Sequence, residues 1–191
     1  EKYGIDFDHD RVVLNLGRQV PRKGVAAFVE QGLALLDPDI KILIVGGGPD
    51  AERIAVGRDK LERPERVLLL GVLDDDVCSM LRRHCDLFLM PNVSTPGDVE
   101  GYGIAPLEAM YFGTPVVAFA VDALVEAVRE GGWLITPGDY QEFAEAVHAY
   151  YALAPARRAE VNAQAREYCL REYGWDTASA RYAELFEEIQ S

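Results

Sequence analysis

Val12-Val-Leu-Asn-Leu16 leads into Gly17-Arg-Gln-Val-Pro-Arg-Lys-Gly24, after which Val25, Phe28, Val29, Leu33 and Leu36 recur at helical spacing. An apolar run, a glycine-bounded loop and an amphipathic stretch make a strand–loop–helix unit. The run does not alternate with polar residues, which is what a strand covered on both faces requires. The unit then repeats. Lys41-Ile-Leu-Ile-Val45, Val67-Leu-Leu-Leu70, Asp86-Leu-Phe-Leu-Met90, Val116-Val-Ala-Phe119 and Trp133-Leu-Ile135 read as further strands, and Val77, Met80, Leu81 and Cys85 as one of the intervening helices. Such alternation predicts a parallel sheet of about six strands with right-handed crossovers, a doubly wound, Rossmann-like α/β domain.

Beyond the last strand the pattern is helical. Tyr140 to Ala154 reads as one helix, Pro155 starts the next, and Asp176 is expected to cap a last helix running to Gln190. In that last helix Ala178, Tyr182, Leu185, Phe186 and Ile189 form an apolar stripe. It packs either on the domain's own layers or on something outside them. The linker-like region is residues 1–10.

Composition narrows the function. A chain of 191 residues, 49% of them hydrophobic, suits one domain with a full core. The net charge of -13 argues against nucleic acid and against electrostatic attraction to an anionic membrane. No apolar run is long enough to span a bilayer, and the charged start, Glu1-Lys-Tyr-Gly-Ile-Asp-Phe-Asp8, lacks the apolar stretch of a signal peptide. Three cysteines, Cys78, Cys85 and Cys169, are an odd number in apolar helical settings, so buried thiols in a reduced, cytoplasmic protein are expected. Cys78 and Cys85 are placed on one predicted helix. Neither they nor His9, His84 and His148 make a credible metal cluster.

Glu100-Gly-Tyr-Gly-Ile-Ala-Pro-Leu-Glu108 carries the chemistry. Gly101 and Gly103 permit torsions other residues avoid, and Pro106 is tolerated only in a first helical turn, so a helix starts near Ile104. Unpaired N–H groups and the helix dipole favour an anion there. Carboxylates are acceptors only and suit vicinal hydroxyls. Phosphate joined to polyols is the outline of a nucleotide sugar. Glu108, flanked by Leu107, Ala109 and Met110, is expected to be buried with a partner. Loops at the carboxyl ends of parallel strands form the ligand crevice, so Arg18 and Lys23 belong at its edge, and Pro91-Asn-Val-Ser-Thr-Pro-Gly-Asp-Val99 is a long polar loop of the same kind. Gly46, Gly48 and Ala51 formally match a dinucleotide fingerprint. Pro49, the position after a second strand and the absence of an acid after Leu70-Gly71 argue against it; close backbone approach is the expected role of these glycines.

Taken together, Gly17-Arg18…Lys23-Gly24, Val45-Gly46…Gly48-Pro49 and the Glu-x7-Glu pair followed by Ala109-Met-x-x-Gly-Thr-Pro-Val-Val-Ala118 resemble glycosyltransferase family 4, and within it the C-terminal, donor-binding half of these GT-B enzymes. The resemblance implies that Arg18 and Lys23 neutralise a diphosphate, that Glu108 accepts from a ribose diol, and that Glu100 holds donor-sugar hydroxyls. Gly17, Gly101, Tyr102, Gly103 and Ile104 would line the donor, and the backbone of Gly71, Val72 and Leu73 would lie against its base. It further implies a UDP-, GDP- or ADP-sugar donor, retention of configuration, no cofactor and no metal. The domain would run over residues 11–173, with 174–191 as a crossover helix reaching to an N-terminal acceptor domain that has no counterpart in this chain. Alone, the chain is therefore expected to bind nucleotide weakly and to transfer little.

One stretch departs from the family. Val121-Asp-Ala-Leu-Val-Glu126 stands where a Gly-rich loop is common, with Ala123 in place of a glycine and Asp122 adding a charge that opposes phosphate. That departure keeps a second reading open: a non-catalytic interaction module, or homodimer, built on exposed apolar surface. An epimerase or a sugar phosphorylase of similar architecture is a weaker alternative, since a phosphorylase would need a pyridoxal-phosphate lysine and Lys23 alone of Lys2, Lys23, Lys41 and Lys60 lies near the crevice.

Overall fold

The computed structural model describes residues 4–190, so part of the 1–10 segment lies outside the described residues. Six strands form one parallel sheet: β1 (Arg11–Leu16), β2 (Ile40–Val45), β3 (Val67–Gly71), β4 (Leu87–Met90), β5 (Val116–Phe119) and β6 (Gly132–Ile135), in the order β3-β2-β1-β4-β5-β6. All six coincide with the apolar runs, within a residue at either end. β4 and β5 are buried along their whole length, as strands covered on both faces must be.

Helices cover both faces. α1 (Val25–Gln31), α2 (Ala51–Asp59) and α6 (Tyr140–Ala152) share one, where the Phe28 and Phe143 rings stand 5.0 Å apart and Phe119 of the sheet lies 5.1 Å from Phe143. α3 (Asp75–His84), α4 (Ile104–Tyr111) and α7 (Pro155–Tyr173) share the other, with the Cys169 thiol donating to the Leu107 carbonyl at 3.3 Å. A short α5 (Leu124–Val128) links β5 to β6, and α8 (Trp175–Gln190) closes the chain.

Several local expectations change. α1 stops at Gln31, and beyond Gly32, where a β-carbon would lie 2.5 Å from the Phe28 ring, the apolar pattern continues as a 3-10 turn, Leu33–Leu35. α3 ends at His84, so Cys85 follows the helix and does not share it with Cys78; all three cysteines are buried. Asp176 lies inside the first turn of α8, where its charge complements the dipole. The α8 stripe does not pack on the domain: Tyr182 is 64% exposed, Phe186 60% and Ile189 72%. No described helix is long and apolar enough to cross a membrane.

The strand order reverses between β1 and β4. In open α/β sheets the crevice for ligands opens at such a switch point, beyond the carboxyl ends of the strands.

Candidate functional site

Four loops converge beyond that switch point. The first, residues 17–24, is fastened to the second by main-chain contacts: Gly17 N–H donates to Val45 O at 3.0 Å and Gln19 N–H to Gly47 O at 2.9 Å. A β-carbon on Gly46 would lie 1.9 Å from Gly17 O, and one on Gly48 2.2 Å from Gln19 O. Glycine is needed here for backbone-to-backbone approach, as the sequence suggests, and not for a dinucleotide. The buried Gln19 side chain adds donations to Gly17 O and Val45 O. At its far end the loop meets the segment after β4, where Gly24 sits at φ +66° against the Pro91 carbonyl.

That junction holds the most concentrated electrostatics of the crevice. Glu100 Oε2 accepts from Arg22 Nη1, from Lys23 Nζ at 2.5 Å and from Asn92 Nδ2 at 3.0 Å. Arg22 Nε lies 2.9 Å from Asp98 Oδ1. The Arg22, Lys23 and Glu100 side chains are 10%, 12% and 12% exposed. Burial pushes the Glu100 carboxyl up, but the hydrogen bond and charge of Lys23, with those of Arg22, outweigh it and hold the group below the ordinary glutamate range. Oε1 has no hydrogen bond among the described residues. The structure thus brings Lys23 and Glu100 together and adds Arg22 and Asn92, which the sequence reading did not single out. Adjacency to Lys23 for Arg22, and an amide two positions past the end of β4 for Asn92, are local signals that could have suggested them, though neither encodes the pairing.

The turn that follows leads into α4. Gly103 caps it at φ 72°, and Pro106 falls in its first turn as expected. Gly101 differs: it is absent from the positive-φ glycines and has open space around it, so its torsion does not require glycine. Tyr102 and Ile104 are exposed at the rim, 61% and 60%. Across the crevice Gly71 ends β3 at φ +65°, its carbonyl accepting Gly46 N–H at 2.7 Å; Val72 is exposed and Leu73 half-buried.

Two candidates, Glu108 and Arg18, stand apart from the Glu100 cluster, and a third residue, Asp122, is bound to its backbone. Glu108 is not buried; it is solvated on the outer side of α4 and accepts from Arg82 Nη2 at 2.7 Å. Arg18 is exposed and makes no ion pair among the described residues. Asp122 does not leave its carboxylate free, since it accepts the Glu100 main-chain N–H at 3.1 Å. Among the described residues no group of three His, Cys, Asp or Glu side chains is arranged to hold a metal ion.

Comparison with known proteins gives this geometry relatives. The family profile described as Glycosyl transferases group 1 matches residues 4–168. A GDP-mannose-dependent alpha-(1-6)-phosphatidylinositol monomannoside mannosyltransferase of Mycolicibacterium smegmatis is 35% identical over 193 residues, covering 97% of this chain and 49% of that protein. A phosphatidyl-myo-inositol mannosyltransferase of Mycobacterium leprae is 32% identical, covering 94% and 47%. Among solved structures, Anabaena Alr3699/HepE in complex with UDP-glucose matches with a TM-score of 0.79 and 25% identity over 95% of this chain and 50% of that one. Sucrose-phosphate synthase from Thermosynechococcus elongatus matches with a TM-score of 0.80 and 26% identity over 98% and 47%. The chain spans about half the length of the relatives it matches.

Proposed function

The chain belongs to the glycosyl transferases group 1 family, and on that premise we propose that it is the nucleotide-sugar donor-binding domain of a retaining glycosyltransferase, moving a hexose from a UDP-, GDP- or ADP-sugar to an acceptor hydroxyl. The observation that carries this reading is the shielded Arg22–Lys23–Glu100 cluster at the sheet's switch point, on the same loop as an exposed Arg18 that makes no ion pair among the described residues. Relatives that are GDP-mannose-dependent or were crystallised with UDP-glucose support a nucleotide donor and leave its base open.

In this reading the bond between the anomeric carbon and the diphosphate oxygen breaks, and its electron pair leaves with the diphosphate. Arg18 and Lys23 lie against the oxygens on which that charge grows, and α4 presents its N-terminus to them. Preorganised cations of this kind supply what a divalent metal supplies elsewhere, so no metal is needed. Glu100 accepts from a sugar hydroxyl through Oε1 while Oε2 stays tied to Arg22 and Asn92. Glu108 exchanges Arg82 for the ribose diol. Residues 11–173 form the donor domain, and 174–191 the helix that crosses to an acceptor domain.

Calorimetric titration with UDP, GDP and ADP, each with and without magnesium, tests the proposal. One nucleotide binding independently of the metal is the expected result. Silence from all three would overturn it in favour of an interaction module, for which the exposed face of α8 supplies the surface.

A further inference from the structure

Two neighbouring cations share one carboxylate oxygen, and they are held very differently. Lys23 Nζ reaches Glu100 Oε2 and no other carboxylate among the described residues. Arg22 donates to the same oxygen through Nη1, has Nε 2.9 Å from Asp98 Oδ1 in an ion pair without hydrogen-bond alignment, and accepts Val93 N–H on its main-chain carbonyl at 2.9 Å. Arg22 is therefore fixed at three points along the segment that ends in Glu100, and Lys23 at one. The chemistry of the side chains matches: a guanidinium is a rigid planar fork that can serve two carboxylates at once, whereas an ammonium is a point charge on a flexible stem.

The difference matters once a diphosphate arrives. A carboxylate shielded to 12% exposure cannot lose its only cation without leaving an uncompensated buried charge. If Lys23 were that sole cation, moving it to phosphate would strand Glu100. Arg22 and Asn92 each hold a hydrogen bond of their own to Oε2, and neither bond runs through Lys23.

We propose that Arg22 is a positioning residue that keeps Glu100 ionised and aimed at the sugar while Lys23 transfers to the donor's diphosphate. The two adjacent cations divide the work, one permanent and one transferable. This inference rests on the donor-site reading above. It makes the sugar-dependent part of donor affinity depend on Arg22, and the nucleotide-dependent part on Lys23.

The test compares the wild-type chain with Arg22→Gln, Arg22→Lys and Lys23→Gln, each titrated with the nucleotide it binds and with the corresponding nucleotide-glucose. Arg22→Gln is expected to lose roughly tenfold in affinity for the nucleotide sugar and under about threefold for the bare nucleotide. Arg22→Lys, which keeps the charge and serves if Arg22→Gln fails to fold, should recover part of the sugar-dependent loss. Lys23→Gln should lose roughly tenfold for both ligands. Equal losses for both ligands in Arg22→Gln would mean that Arg22 binds the diphosphate directly, and would overturn the division. A second measurement needs no ligand. Carbon-detected NMR follows the Glu100 carboxyl, assigned with Glu100→Gln, through its titration among Arg22, Lys23, Asn92, Asp98 and Asp122. Its midpoint should rise in Arg22→Gln; an unchanged midpoint sinks the proposal. If the wild-type chain binds no nucleotide, the donor reading falls, while the carboxyl titration still decides whether Arg22 holds Glu100.

Discussion

Asp122 accepts the main-chain N–H of Glu100 at 3.1 Å from a backbone held at φ 47°. The next residue completes the grip, Ala123 N–H donating to Glu100 O at 3.3 Å. Both polar groups of Glu100's backbone are thereby tied to the loop after β5, the stretch that departs from the Gly-rich family pattern. Left-handed torsions cost residues with a β-carbon about 1–2 kcal/mol, and Asp and Asn tolerate them best. Asp122→Ala keeps the torsion and loses the acceptor, so it should destabilise the fold by about 1–2 kcal/mol in urea unfolding. Asp122→Asn retains a carbonyl acceptor and should cost under about 0.5 kcal/mol. Equal losses in the two variants would assign the effect to the charge.

Gly24 and Gly138 offer a matched pair of left-handed glycines. At φ +66°, a β-carbon on Gly24 would fall 1.8 Å from the Pro91 carbonyl oxygen, whereas Gly138, at φ +82°, has nothing within 4 Å. Gly138→Ala should therefore cost only the torsional term, about 1 kcal/mol. Gly24→Ala adds a backbone collision at the junction that carries Arg22 and Asn92, and a loss of about 3 kcal/mol or more is expected. Similar denaturant midpoints for the two variants would show that the junction can open at little cost.

What the sequence disclosed follows from how far each determinant reaches. The strands were legible because burial on both faces writes itself into three or four consecutive apolar letters, as in Ile42-Leu-Ile-Val45. Arg22 was not, because its partner Glu100 lies 78 positions away and no local pattern encodes a pairing across loops. Glu108 was misread for a different reason. Leu107, Ala109 and Met110 are buried around it in sequence, but adjacent helical residues point about 100° apart, and only those three or four apart share a face. Glu108 turns outward while its neighbours turn in.

That outward position makes Glu108 a clean probe of ligand binding. Its pair with Arg82 is only half exposed, the carboxylate side chain keeping 45% of its surface and Arg82 11%, so losing it should cost about 1–2 kcal/mol. Glu108→Ala should leave the protein folded at a modest loss of stability and weaken nucleotide binding roughly tenfold, the worth of a charged hydrogen bond to a diol. Lost stability with unchanged affinity would remove Glu108 from the ribose role.

Acid should expose the Glu100 cluster. Burial opposes ionisation, Lys23 and Arg22 outweigh it, and the folded-state pKa lies below the ordinary value of 4.5. A depressed folded pKa means that the stabilisation is present above the unfolded value and is lost as pH falls through the folded one. The gap in unfolding free energy between wild type and Glu100→Gln should thus be widest near neutrality and shrink on acidification below 4.5. A gap that stayed constant across that window would mean the cluster adds no net pH-dependent stability.

α8 should be dispensable to the fold that carries the site. Trp175 is 90% exposed, and Tyr182, Phe186 and Ile189 expose more than half their surface, so the helix buries little. Its polar ties are surface contacts on α7: Thr177 Oγ1 donates to Arg171 O at 2.8 Å, and Arg181 pairs with Glu172 at 3.1 Å. Exposed contacts of this kind are worth about 1 kcal/mol or less. Deleting residues 175–191 should therefore change the unfolding free energy by under about 1 kcal/mol. Phe143→Ala, at a fully buried ring in α6, should cost about 3–5 kcal/mol. A deletion as costly as Phe143→Ala would show that the helix packs on its own domain. With the small loss expected, sedimentation separates the remaining occupants of its apolar face. A chain that self-associates only when α8 is present uses the helix for a second copy, and one that stays monomeric reserves it for a further domain.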